Sequence, residues 1–515
     1  MRIGISTLII LFSPFIELQA QVPTVEWFRG QGTSGEEHVH EGLQTSDGGY
    51  IAIGHGIDPD DDGDMMIIKV NEQGFFRWKR EFGTMGKLGA GYCIAEISDG
   101  YIAGGGIFDP DSQRTQRFLA KLDLDGKIEW EKYYGSPGVG SIRGIDITDD
   151  SSIVVTGYVN APDDPEFQGF VFIVDEGDGF IMKLDLEGNV IWEESVDAPQ
   201  GTKVREIENG YAICSTVWTW TQAAGDNQDF RLLITDTLGI TQDYYDYGGA
   251  NGDHCYDFDI TADGGYILAG HTTSYGVSNW DYLLLKIDNK GNEEWHKTFG
   301  QPRGYDDNFI HDEAYGVRQT PDGGYVICGG SGDESSYSAS GHAAGPSDEW
   351  KVYLVKTDSS GETVWEGIYP GTSVGNNAGE YIDLSDDGGY IVFVDTDSQY
   401  PPTPNNFGFM KLSSDNSAGV ESVSQRTVEN FILYPNYPNP FNSQTIIPLQ
   451  VAEASEMKID LYNIRGEHIT KVHQDFMVIG FHEIIVNSGH MPSGEYIIRI
   501  EGNGFVEMLK CVLLR

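Results

Sequence analysis

Basic residues are scarce in this chain of 515 residues: 32 Lys and Arg stand against 80 Asp and Glu, a formal net charge of −48. A surface that acidic repels phosphate backbones and anionic lipid headgroups, which argues against nucleic-acid or peripheral membrane binding. Cysteine is scarcer still, at five residues, with no Cys-x-x-Cys pair to hold a metal or a redox centre. Cys214 and Cys328 share one position of an internal repeat, Cys93 and Cys255 fall in equivalent strands, and Cys511 lies in the last strand. They read as small buried hydrophobes rather than a disulfide framework. Beyond the N-terminus no apolar run is long enough to span a bilayer. Catalytic signatures are missing too: there is no Gly-x-Ser-x-Gly, no His-Glu-x-x-His and no phosphate loop.

Glycine is abundant, at 66 residues, and aromatic content is 12%. Without a collagen period, that composition implies many tight turns in an all-β chain. The length allows two or three domains. The first 20 residues, with Arg2, the apolar stretch Leu8–Phe12 and Leu18-Gln19-Ala20, have the form of a signal peptide. The mature chain is expected to start near Gln21 and to be exported.

One unit recurs seven times. Asp47-Gly-Gly-Tyr returns at Asp99 (as Asp-Gly-Tyr), Asp263, Asp322 and Asp387, with degenerate copies at Asp150-Ser-Ser-Ile and Asn209-Gly-Tyr, 51 to 65 residues apart. In each copy an apolar run follows, ending in Lys in most, as in Met65-Met-Ile-Ile-Lys69. A Gly turn comes next, with Trp four residues later: Gly74/Trp78, Gly126/Trp130, Gly188/Trp192, Gly291/Trp295 and Gly361/Trp365. The fourth copy has Asp243 at the Trp position. Four short strands per unit, with no helical period, predict a blade, and seven units predict a seven-bladed β-propeller over residues 21–412. The seventh unit stops at Leu412 without its Trp strand, and the mature chain opens with an orphan one, Val25-Glu-Trp27. The N-terminal strand is therefore expected to complete the seventh blade against residues 407–412. The once-per-blade Trp and Tyr read as packing residues. The Gly-x-x-x-Trp strand resembles the repeat of pyrroloquinoline-quinone dehydrogenases, but the vicinal cysteines of that family are missing and the units number seven rather than eight, so no cofactor is carried over.

The long, irregular connections of all seven units share one face, the expected binding surface, and that face is acidic. Asp58, Asp60, Asp62 and Asp64, in Asp-x-Asp-x-Asp-Gly-Asp, have the spacing that lets carboxylates converge on calcium, though Lys69 stands where a bidentate Glu would complete the loop. A solvated acidic loop is the other reading. Trp218 and Trp220, alternating in the degenerate fourth unit, face one way and are candidates for stacking on sugar; repacking of that unit is the alternative. His38-Val-His40-Glu41 contains ligand-type residues, yet such a pair in a strand is more often structural.

Residues 413–432 read as a polar linker. From Leu433-Tyr-Pro-Asn-Tyr-Pro-Asn-Pro-Phe-Asn through Ile459-Asp-Leu-Tyr-Asn-Ile-Arg-Gly466, Met491-Pro-Ser-Gly-Glu-Tyr and Glu507-Met-Leu-Lys-Cys-Val-Leu-Leu-Arg515, the chain resembles the C-terminal sorting domains of type IX secretion cargo. The resemblance implies an immunoglobulin-like sandwich at 433–515 and recognition by the secretion machinery. It also implies passage through the outer membrane, with removal of the domain or attachment to surface glycolipid. Gly466, Pro492, Ser493, Gly494 and Lys510 match the family's motif and are candidate recognition residues, with turn formation the alternative for the glycines. The expected product is a secreted or cell-surface binding protein whose partner is an extracellular glycan or protein. The alternatives are an extracellular polysaccharide-active enzyme and a structural or adhesive envelope component.

Overall fold

The computed structural model describes residues 21–32, 35–57, 63–83, 87, 89–135, 138–162, 174, 176–221, 225–303, 310–333, 349–369, 375–397, 406–415, 431–433, 444–451, 455–463, 465, 467–477, 480–489, 491–502 and 505–514. The segment read as a signal peptide lies outside them. The chain divides between Ser417 and Ala418 into two units, both built of antiparallel strands.

The first unit consists of seven four-stranded sheets. Six are formed by four consecutive strands each. The seventh combines Asn377–Leu384, Tyr390–Thr396 and Asn406–Leu412 with the N-terminal strand Val25–Gln31, paired from Val25 opposite Leu412 to Gln31 opposite Phe407. The first strands of the sheets are Glu36–Gln44, Ala90–Ile97, Val139–Ile147, Lys203–Ile207, Asp253–Ile260, Ile310–Gln319 and Asn377–Leu384. Each touches the next, and the last touches the first. This is the arrangement of a β-propeller, with first strands innermost.

The repeated residues are explained by what they hold. Asp263 of one Asp-Gly-Gly turn accepts from the Gly265 amide within the turn and pairs with Lys286 of the third strand at 3.1 Å. The same cross-strand pair recurs as Asp47–Lys69, Asp99–Lys121, Asp150–Lys183, Asp322–Lys356 and Asp387–Lys411. Each Trp packs on the next sheet. A methyl group at Gly126 (φ +75°) would lie 2.5 Å from the Trp78 ring, and Trp78 meets Tyr101 at 5.9 Å. Trp27 does the same with Gly74 and Tyr50. In the fourth sheet, where the sequence has Asp243, Tyr245 covers Gly291 instead.

Neighbouring sheets also share polar contacts. Asp259 accepts from the Gln319 amide and the Gln319 side chain accepts from the Ala262 amide. Asp383 and Gln44 repeat both bonds between the seventh and first sheets. At the end of this unit, Ser413 bonds Thr24 through its amide and hydroxyl. The Asp415 carboxylate accepts from the Trp365 indole and the Tyr390 hydroxyl. Residues 413–415, read as linker, thus belong to the first unit.

The turn pairs predict an acid effect. Burial pushes the Asp263 carboxyl up, but bonds from Thr261, Gly265 and Lys286 outweigh it and hold it at about 2. A depressed carboxyl stabilises the fold above its unfolded value of about 4 and loses that effect as pH falls through its folded value. Asp263→Asn is therefore expected to melt below the parent protein at pH 6. Melting curves followed by circular dichroism should show the gap closing between about pH 4 and pH 2.

The second unit has a three-stranded sheet (Phe431–Leu433, Gln444–Val451, Gly480–Asn487) and a four-stranded one (Ser455–Asn463, His468–Met477, Gly494–Gly502, Phe505–Leu513). Both contribute to one core that includes Ile447, Leu449, Ile459, Val486, Ile498 and Cys511, so this unit is a β-sandwich. Its first strand starts two residues before the expected boundary at 433. All five cysteines are free and buried.

Candidate functional site

The innermost strands carry a local irregularity that builds a site. In six of the seven, the pairing with the second strand slips by one residue: between Val39 and Glu41, Gly91 and Cys93, Ile142 and Gly144, Cys255 and Asp257, Ala314 and Gly316, and Gly379 and Tyr381. A bulge of this kind leaves one residue unpaired and re-aims its side chain. The bulged residues are His40, Tyr92, Arg143, Tyr256, Tyr315 and Glu380. All six line a single cavity, joined by Thr202 and Lys203 of the fourth sheet and by Tyr381. Seven strands thus converge on one well at the centre of the unit. Its volume is about 40 Å³, room for a few waters.

Toward the Asp-Gly-Gly end, the well is closed by charge pairs. Lys203 bonds Glu41 across the centre, both side chains under a tenth exposed, and its Nζ lies 4.9 Å from the Tyr381 ring. Arg318 pairs with Asp257 at 2.8 Å and donates to the Tyr381 hydroxyl. The strand direction then leaves the well facing the ends that carry the long connections.

Around that side stand two histidine pairs, in the first and fifth sheets. His38 and His55 are register partners, as are His254 and His271. His40 Nε2 lies 2.9 Å from His55 Nδ1, and the His40 ring stacks on Tyr92. Burial lowers both His40 and His55 well below the ordinary histidine value, His55 adding to the effect on His40 and His38 to that on both. Burial also acts against protonation of His38, but Asp395, 2.6 Å away, and Glu36 outweigh it and raise the ring to about 9. His254 meets His271 at 3.1 Å and Gln228 at 2.7 Å, and burial lowers His271 to about 3. Glu313 takes bonds from His311 and Tyr315, which outweigh its burial and hold it at about 2. Glu380 is the opposite case: burial, then Asp395 and Glu313, raise it well above the carboxylate range. The wall therefore combines an imidazole held from protonation, phenols, a carboxyl shifted toward its protonated form and a guanidinium.

The residues singled out from sequence fall mostly elsewhere. Of His38-Val-His40-Glu41, His38 is bound to Asp395, His40 enters the well and Glu41 meets Lys203. Among the described residues no group of three or more His, Cys, Asp or Glu is placed to hold a metal. Asp58, Asp60 and Asp62 lie outside the described residues, and Asp64 is in the strand Gly63–Val70. Trp218 is exposed, at 53%, opposite Gln228 in the long hairpin of the fourth sheet. Trp220 shares that strand, but its side chain lies outside the described residues. Trp218 does not line the well.

Of the sorting-motif residues, Gly466 lies outside the described residues. The Pro492 carbonyl accepts from the Tyr496 hydroxyl, Ser493 follows it, and Gly494 begins a strand with open space beside it. Lys510 is exposed on the last strand, paired with Glu495 at 2.8 Å.

Apart from His40, the bulged residues were missed. They had a signal: each stands seven residues before the Asp or Asn of its repeat, a column that varies chemically where its neighbours recur.

Residues 436–513 match the family described as secretion system C-terminal sorting domain. The second unit thus marks the chain as cargo of type IX secretion, sent to the cell surface or the extracellular space. No curated protein matches the chain in sequence. Among solved structures, the chain is similar to a fungal alcohol oxidase of the AA5 family in complex with copper (12% identity, TM-score 0.46, 95% of this chain and 100% of that one). It is also similar to the Neurospora crassa Pan2 WD40 domain (12%, 0.44, 75% and 90%) and to a protein of unknown function from Dyadobacter fermentans (11%, 0.43, 76% and 99%).

Proposed function

We propose that this is a signal-peptide-exported propeller of seven complete blades, closed by the N-terminal strand, that binds an extracellular ligand in its central well. In this reading an immunoglobulin-like tail directs it across the outer membrane. The observation that carries the binding role is the convergence of six bulge residues and Lys203, one from each innermost strand, on one cavity. Bulges weaken a ladder, so six at one level of one ring point to side chains aimed for use. The closure reading is supported by the seam between the first and seventh sheets, which repeats the bonds of the seam between the fifth and sixth.

Outside the well, Asp58, Asp60, Asp62 and Asp64 would hold calcium, and Trp218 and Trp220 would add a sugar-stacking surface. A glycan or a protein is the partner class. Secretion machinery reads the tail through the turn at Pro492–Gly494 and through Gly466 and Lys510. A second reading, an extracellular polysaccharide-active enzyme, is favoured by the raised Glu380 carboxyl and His40 in the same cavity. A raised carboxyl beside an imidazole is the usual dress of acid–base chemistry.

Binding of the purified mature protein to a glycan array, with and without calcium, tests the site. Tyr256→Ala is expected to lower the affinity for any retained glycan about tenfold, since a buried aromatic contact is worth on the order of 1–3 kcal/mol. Unchanged binding by that variant would move the site away from the well.

A further inference from the structure

We infer that the central well receives a carboxylate group of an extracellular ligand, with Arg143 as its anchor. The inference rests on the reading of the well as the binding site.

Arg143 occupies the bulge position of the third sheet, where the other sheets place His, Tyr, Thr or Glu. Its side chain is buried, and its guanidinium lies 3.6 Å from the centre of the Tyr92 ring and 5.3 Å from that of Tyr158. A guanidinium held by its face keeps its N–H groups at the edge, the geometry that accepts a planar carboxylate bidentately.

The rest of the wall suits a single negative charge. Glu41 is matched by Lys203, and burial, then Asp395 and Glu313, push the Glu380 carboxyl up, which lessens its repulsion of an anion. Arg143 and Lys203 thus put two cationic side chains in the wall, inside a chain of net charge −48. Thr202 Oγ1, buried in the same wall, has no hydrogen-bond partner within the described protein, and a buried hydroxyl of that kind costs free energy until something accepts from it.

Size restricts what enters. The well has room for only a few ordered waters, so it suits the acidic tip of a ligand whose body stays outside. A phosphate dianion fits less well, because ionised Glu313 stands beside the wall.

Uronic-acid glycans and peptide C-termini both carry this group, and titration calorimetry of the mature protein separates them. One arm uses oligogalacturonate and glucuronate-bearing oligosaccharides, each against its methyl ester. The other uses a short peptide with a free C-terminus against its amide. The acid of one arm is expected to bind at least about tenfold more tightly than its neutralised form, as for loss of a charge-assisted pair. Arg143→Gln should abolish that preference, Arg143→Lys should retain part of it, and Thr202→Val should weaken binding a few-fold. Unaltered melting of the Lys variant guards against misfolding.

If the ester binds as well as the acid, or if Arg143→Gln keeps the preference, the inference is overturned. Charge-independent binding that Tyr256→Ala still weakens would overturn it and leave the well as the site. Carboxylate binding insensitive to both variants would remove the well itself. Failure of every acid to bind would overturn the carboxylate.

Discussion

A chain ending at Ser417 is expected to fold, to enter the periplasm and to stay there. The two units have separate cores. Among the described residues the sandwich core starts at Ile447, and the seventh sheet of the first unit is complete by Leu412. The bonds that secure that sheet end at Asp415. Among the described residues each of the first unit's seven sheets is built from its own strands, so removal of the tail is expected to leave them intact. The match of residues 436–513 to a secretion system sorting domain assigns the export address to the part removed. Fractionation of the native host should find the truncated protein in the periplasm, with the surface and medium emptied of it. Its melting temperature should equal that of the first transition of the parent. Normal appearance of the truncated chain outside the cell would refute the sorting role; loss of the folded propeller would refute the separation of the units.

Much of the fold was legible because repeats announce themselves. Asp-Gly-Gly-Tyr and Gly-x-x-x-Trp recur since each blade needs the same turn, the same Lys partner and the same Trp on the next blade's glycine. The orphan strand at Val25–Gln31 was legible from the count alone. The site was not. What builds it is a slip of one residue in six strand pairings, and a bulge leaves no compositional mark. It shows only as a column, seven residues before each turn Asp or Asn, that runs from His40 through Tyr92, Arg143, Thr202, Tyr256 and Tyr315 to Glu380. Repeat analysis looks for sameness, whereas function at a ring centre resides in the position released from it. His38 and His40 were noticed for being histidines, but a strand alternates its faces. Only the slip at His40 explains why it enters the well while His38 turns to Asp395 of the seventh sheet. The fourth unit's missing Trp was visible, but its replacement by Tyr245 was not, since that substitute lies two residues further along the same strand.

The largest effect of a single substitution on stability is expected at Lys203. Its ammonium and the Glu41 carboxylate meet across the centre from the fourth and first sheets, each side chain less than a tenth exposed. Burial disfavours the charge on Lys203, and Glu41, Tyr381 and Asp257 more than restore it, so that the amine is held above its ordinary range. The Glu41 carboxylate also accepts from the Ile94 amide of the second sheet at 3.2 Å. Lys203→Met removes the cation and strands that carboxylate in a nearly dry site. Breaking a buried pair from one side costs about 3–5 kcal/mol, far more than an exposed pair. Glu41→Gln alone should cost less, because the amide oxygen still accepts from Ile94 and from the ammonium. The double variant, Glu41→Gln with Lys203→Met, should recover a large part of the Lys203→Met loss, since no uncompensated charge remains. Urea unfolding of the four proteins gives the coupling directly. A Lys203→Met variant within about 1 kcal/mol of the parent, or a double variant no better than the single, would show that water or a rearranged neighbour already solvates Glu41. The pair would then not be what closes the well.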